Sequence, residues 1–282
     1  MGDPVPAVAE AEASGETAAI FADIRAVYGV GVVNLIWRHL ATMPGALPWA
    51  WGTVRPLYLD GTIGREAAAL GAARRLPALP ALPAEVLAAA GIGPAERQRI
   101  IAVLDAYDRT NPMALVALAV LRQRLTGAGG TAAPAPIPAA AHPPPPEIAL
   151  PPLLRLEDMA PETAALVLRL NRIGATVAEP ILASMYRTLA HWPPYLALAW
   201  TLLAPAGASG GLQAAIGDAL ALAGARAAAI PGGGTAAPLP EAVRPAVLAA
   251  LDRFTADAIA RMLIICGALR QATAPEPPGL PS

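Results

Sequence analysis

Lysine is absent from this 282-residue chain, so all 20 of its basic residues are arginine. That absence removes Schiff-base chemistry and any anchor for pyridoxal phosphate. The single cysteine, Cys266, allows neither an internal disulfide nor a thiolate cluster, and it sits in the apolar run from Met262 to Leu269. Histidine is scarce too: His142 lies in a proline-rich stretch, and His39 and His191 occupy non-equivalent positions, so no zinc set is formed. A Gly-rich phosphate loop after a strand and a G-x-S-x-G elbow are both missing. Neither sign of charge dominates, with a net of -1 and no arginine run able to neutralise a phosphate backbone. Nucleic acid is therefore not an expected partner.

Mean hydropathy is +0.48, yet long unbroken apolar runs are lacking. The uncharged stretch between Arg187 and Asp218 is cut by Pro193, Pro194, Pro205 and the Gly207 to Gly211 cluster. Its pieces are shorter than the roughly 20 residues a spanning helix needs, so no membrane segment is expected. Residues 1–15 are acidic and proline-bearing, with no basic start leading into an apolar stretch, and so do not read as a signal peptide. Together with the unpaired cysteine, this suggests a cytoplasmic protein. No feature specifies an oligomeric state.

What is present is alanine and helical periodicity. The chain is 55% hydrophobic but only 4% aromatic, a composition suited to helices packed closely through small side chains. Apolar residues recur three and four apart, as in Ile100, Val103, Leu104 and Tyr107. Between residues 126 and 152 this pattern gives way to a Pro/Ala/Gly-rich segment that reads as a linker. The expected organisation is a disordered tail over 1–15, a helical repeat over 16–125, the linker over 126–152, a second repeat over 153–270 and a disordered tail over 271–282.

The two halves match each other in three blocks of conserved order. Trp37-Arg38-His39-Leu40-Ala41 aligns on Tyr186-Arg187-Thr188-Leu189-Ala190, and the same register pairs Pro44 with Pro193, Leu47 with Leu196 and Trp51 with Trp200. Upstream, Glu16-Thr17-Ala18-Ala19 pairs with Glu162-Thr163-Ala164-Ala165; downstream, residues 102–109 pair with 246–253, ending in Asp108-Arg109 and Asp252-Arg253. Alanine bias does not supply shared Arg, Pro, Trp and Asp-Arg positions. The expectation is an all-α fold in which two tandem helical repeats form an intramolecular pseudo-dimer, with a groove between them as the default site.

Polar differences between equivalent positions mark candidate site residues. Asn34 stands three residues before Trp37, on one helical face if the helix includes both, where the second copy has Ala183 and Tyr186. Asn111-Pro112 stands against Thr255-Ala256, and Pro112 predicts a break or kink, with Asn111 either capping the segment from Pro112 to Leu125 or meeting a ligand. Ser184 is a further candidate or an ordinary helix hydroxyl. Trp37 and Tyr186 are equally readable as core packing. Arg38 and Arg187 match in both copies, which favours a structural role over substrate binding.

Val32 to Trp51, the run Asp108 to Pro112, the linker and Leu182 to Trp200 together resemble the group I 2-haloacid dehalogenase family, over nearly the whole chain. The resemblance implies cofactor-independent hydrolysis of 2-halocarboxylic acids between two all-α repeats, by a water that an aspartate activates and that inverts the reacting carbon. It places pocket positions at Asn34, Trp37, Asn111, Ala114, Ala183, Ser184 and Tyr186. The family's aspartate falls on Ala183 and a pocket tyrosine on Ala114, so two polar groups of the pattern are absent and no catalytic residue is assigned. Glu179, four residues before Ala183, is the nearest carboxylate in sequence. Three readings stay open: an enzyme acting on 2-substituted carboxylic acids, a non-catalytic protein binding a small carboxylic acid, and a helical scaffold.

Overall fold

A computed structural model describes residues 5–29, 31–127, 150–231 and 238–274, and no strand occurs among them. The first half runs through α1 (Gly15–Tyr28), α2 (Leu35–Leu40), α3 (Ala46–Leu59), α4 (Thr62–Ala73), α5 (Ala84–Ala89) and α6 (Pro94–Thr126). The second half has α7 (Pro161–Arg172), α8 (Ser184–Leu189), α9 (Pro193–Ala208), α10 (Gly211–Ala229), α11 (Arg244–Arg253), a π-helical turn (Phe254–Ile259) and α12 (Ala260–Thr273). Short 3₁₀ turns at Glu10–Glu12 and Leu156–Asp158 precede α1 and α7. The halves thus repeat one order of elements, in the register of the aligned blocks.

The core is centred on α6, against which α12, α10 and α4 pack. Local chemistry delimits α6: Pro94 occupies its first turn, Glu96 accepts from the Gly93 N–H at 2.8 Å, and Gly127 closes it at φ 72°. Every residue of α12 from Ala260 to Leu269 is buried, including Cys266, whose thiol donates to the Leu104 carbonyl at 3.2 Å. Gly267 permits close approach to the first half, because a Cβ there would stand 2.8 Å from Arg74 Nη2 and 3.1 Å from Leu76 Cδ1.

Two expectations are corrected by this architecture. Pro112 does not break its helix, since α6 continues through it for 33 residues. Residues Thr110 to Pro112 and Ala114 to Leu121 are all buried, and that packing outweighs the cost of about 3 kcal/mol that an interior proline carries. At the aligned place in the second half the ladder is disturbed by another means, the π turn. Residues 5–14 do not form a loose tail. Val5 is buried, the Val8 N–H donates to the Arg38 carbonyl at 3.0 Å, and Glu10 joins Arg25 at 2.7 Å to the Val33 N–H at 2.9 Å. Composition marked this segment as non-helical, which it largely is; its carbonyls and carboxylate are satisfied by donors that only the fold brings close.

The second half contains the matching strap. Arg38 Nε donates to the Val8 carbonyl at 2.9 Å, and Arg187 Nε donates to the Leu154 carbonyl at 2.8 Å. His39 Nδ1 meets Pro6 O at 2.6 Å, and His191 Nε2 meets Pro152 O at 2.9 Å. Each shared arginine therefore ties an extended segment onto the short helix that carries it. Most of the expected linker, residues 128–149, lies outside the described residues, as do residues 275–282 of the expected C-terminal tail; residues 271–273 belong to α12.

Candidate functional site

A cavity opens where the start of α2, the middle of α6, the start of α8 and the π turn converge, with Leu150 and Leu153 of the second strap along its edge. Both halves build the wall: Val33, Asn34, Thr110 and Asn111 from one, Ile181 to Met185, Phe254 and Met262 from the other. The cavity volume is about 80 Å³. A single water needs about 10–15 Å³ on that measure, so the space suits a molecule of roughly half a dozen non-hydrogen atoms.

Of the residues singled out in the sequence, Asn34, Asn111, Ala183 and Ser184 line this cavity. Asn111 is 5% exposed and its Nδ2 has no hydrogen-bond partner. A buried donor left unsatisfied costs about 1–3 kcal/mol, which a ligand acceptor reaching the amide would offset. Asn34 immediately precedes α2 and makes no capping bond. Ala183 holds the same place before α8, with its N–H donated to Asn171 Oδ1 at 3.0 Å.

Trp37, Tyr186 and Ala114 are corrected from pocket to core, each having 0% exposure and none lying on the cavity wall. The reason is where the helices start. Asn34 and Ala183 are extended residues before α2 and α8, with ψ of 144° and 125°, so they do not share a helical face with Trp37 and Tyr186. Trp37 packs edge-on against Trp51 at 5.5 Å. Burial raises the Tyr186 phenol well above its ordinary range. Glu179 is exposed, lies ahead of α8 and does not touch the cavity, because no helix begins at Pro180 to aim it there.

Arg38, which the sequence favoured for a structural role, also lies on the wall, and further wall residues were not singled out as site residues, among them Tyr107, Phe254 and Met262. Tyr107 connects the halves, its hydroxyl lying 3.1 Å from Thr188 Oγ1, and burial pushes its phenol up to about 12, which keeps it neutral. Behind the wall lies a polar cluster also missed. Arg261 donates through Nε to the Asp257 carbonyl at 2.8 Å and through its terminal nitrogens to the carbonyls of Asn171 and Ile173. Asn171 donates to the Ile181 carbonyl at 3.1 Å, and Asp257 Oδ2 accepts the Ile181 N–H at 2.7 Å. Arg261 and Asp257 are 1% and 4% exposed, with 3.7 Å between Nη2 and Oδ1. Burial lowers the arginine's pKa from its ordinary value. Arg261 as an isolated charge in the run Ala258 to Leu269 was the available signal.

No aspartate or glutamate lines the cavity among the described residues; Asp257, behind the wall, accepts from Ile181 through Oδ2, while its Oδ1 lies 3.7 Å from Arg261 without a hydrogen bond. Nor does any group of acidic, His or Cys side chains among them suit a metal ion. The wall can hold a small, partly apolar molecule and offer it neutral donors and one guanidinium.

Fold and site thus define an all-α protein enclosing a small, largely apolar cavity between halves of like construction. Comparison with known proteins agrees. Over 198 residues, 68% of this chain, the sequence is 29% identical to a configuration-inverting 2-haloacid dehalogenase from Alcaligenes xylosoxydans xylosoxydans, and the match spans 65% of that relative's length. A structure of a D-2-haloacid dehalogenase mutant in complex with D-2-CPA aligns with a TM-score of 0.78 at 22% identity, covering 96% of this chain and 97% of that one. A complex of D-2-haloacid dehalogenase with L-LA aligns at 0.76, again with 22% identity and the same coverage of both chains. No family model matches the chain. The resemblance of this chain to the group I 2-haloacid dehalogenase family is borne out in sequence and in fold. No helix among the described residues is long and apolar enough to cross a membrane.

Proposed function

We propose that this chain binds a small 2-substituted carboxylic acid in the cavity between its halves and lacks the carboxylate needed to activate a hydrolytic water there. The observation that carries this reading is a wall that presents the unpartnered Asn111 amide but, among the described residues, no acidic side chain. Convergence of Asn34, Asn111, Ser184 and Arg38 on one cavity speaks against a pure scaffold, whose groove would be filled with apolar side chains.

The similarity to 2-haloacid dehalogenases supports a second reading, slow dehalogenation by a water held on neutral groups. Losing a positioned general base costs about 10²- to 10⁴-fold in rate. The two readings part in one experiment. Wild type and Ala183→Asp are incubated with 2-chloropropionate and 2-bromoacetate, following melting temperature and halide release.

The expected result is a ligand-dependent rise in melting temperature for the wild type without halide above the buffer rate. The variant is expected to release halide. Its carboxylate would take a proton from water as the water oxygen bonds to C2 and the carbon–halogen bond breaks, leaving a 2-hydroxy acid and halide. Halide release by the wild type would establish the second reading. An absence of any melting shift would overturn the binding reading.

A further inference from the structure

Arg38 and Arg187 are equivalent in sequence and tie equivalent straps, yet only Arg38 lies on the cavity wall. Its Nε is spent on the Val8 carbonyl at 2.9 Å, which fixes the plane of the guanidinium. Among the described residues its two terminal amino groups meet no carboxylate and no other acceptor. Arg25, Arg55, Arg74 and Arg226 of the same molecule are each paired with an acid. Among the described residues no aspartate or glutamate lines the wall, so Arg38 brings a positive charge to a mostly apolar lining.

We infer that Arg38 is the anion anchor of the cavity: its strap bond orients the guanidinium, and its free terminal N–H groups receive the carboxylate of a short monocarboxylic acid. A planar guanidinium offers parallel donors that match the two oxygens of a carboxylate, and a mostly apolar lining strengthens the attraction. The ligand's aliphatic body then faces residues such as Leu182, Phe254 and Met262, leaving Asn111 Nδ2 for an acceptor on the second carbon. A residue shared by the halves for a structural bond thereby gains a second role in one half alone. This assignment rests on the proposed carboxylate-binding function.

The test is calorimetric titration of wild type, Arg38→Gln and Arg38→Lys with acetate, propionate and 2-chloropropionate, each beside its neutral amide. The wild type is expected to bind acids roughly 10- to 100-fold more tightly than amides. Arg38→Gln is expected to lose that preference, and Arg38→Lys to keep part of it. If the wild type takes acid and amide equally, or if Arg38→Gln keeps the preference, the anchor is wrong while the cavity reading stands. If only the unsubstituted acids bind, and do so through Arg38, the anchor stands and the 2-substituted reading fails. Binding of no compound by the wild type overturns both. Should Arg38→Gln fail to fold, the wild-type acid-to-amide ratio still decides.

Discussion

The two halves solve one local problem with different chemistry. Each must hold the extended residues that precede its short W/Y-R helix, and those residues form opposite walls of the cavity. In the first half the task falls to separate side chains: the partly exposed Glu10 receives the Val33 N–H, and Arg109 donates to the carbonyls of Tyr28 and Gly29 at 3.3 and 3.4 Å. In the second half it falls to the enclosed Arg261, Asp257 and Asn171 cluster. Alignment places Arg25, Met113 and Ala117 where Asn171, Asp257 and Arg261 stand, so neither device has a counterpart in the other half. Repetition preserved the backbone plan and left the means of satisfying it free to diverge.

This contrast breaks most readily at Arg261. Arg261→Met would leave Asp257 buried without its cation and several carbonyls without donors, a loss of about 3–5 kcal/mol in urea unfolding. Arg109→Met should cost only about 1 kcal/mol, because its two bonds are long, at 3.3 and 3.4 Å, and its removal strands no buried carboxylate. Equal or reversed losses would dissolve the distinction between the halves.

A smaller difference separates tight and open helix positions. Gly267→Ala would press a Cβ onto Arg74 and Leu76 at the junction of the halves and cost about 1–3 kcal/mol. Gly64→Ala on α4 meets nothing within 4 Å and should stabilise by about 0.5–1 kcal/mol, read as a rise in melting temperature.

The smallest effect sharpens the comparison through pH. Asp23 accepts from Arg55 at 2.6 and 3.0 Å and from the Trp51 indole at 2.7 Å, a pair absent from the second half, where Arg169 and Ala204 align. The Arg55 hydrogen bonds foremost, and that of Trp51, hold the Asp23 carboxyl below its ordinary 3.8. Its stabilisation is therefore present above the unfolded pKa near 3.8 and lost as pH falls through the lower folded value. Asp23→Asn should flatten that acid limb by a few tenths of a kcal/mol, since the pair is about a third exposed. An unchanged limb would assign acid sensitivity elsewhere.

Much of this was legible beforehand. Helical periodicity and the repeated blocks are written in local sequence, and Asn34, Asn111, Ala183 and Ser184, singled out there, line the cavity. Trp37 and Tyr186, readable in sequence as core or pocket, pack in the core, and Asn34 and Ala183 precede their helices rather than sharing a face with them. Pro112 misled for another reason: propensity predicts a break in isolation, whereas burial on all sides of α6 overrides it.

By itself the sequence determined the helical class and the matching blocks of its two halves, because periodicity and residue identity are properties of neighbouring positions. Only tertiary structure decided that Arg38 has donors to spare while Arg187 stands off the cavity wall, and that Arg261 braces a segment some ninety residues earlier. Direction of a side chain and the partners it meets depend on elements remote along the chain, which come together only when the core is packed.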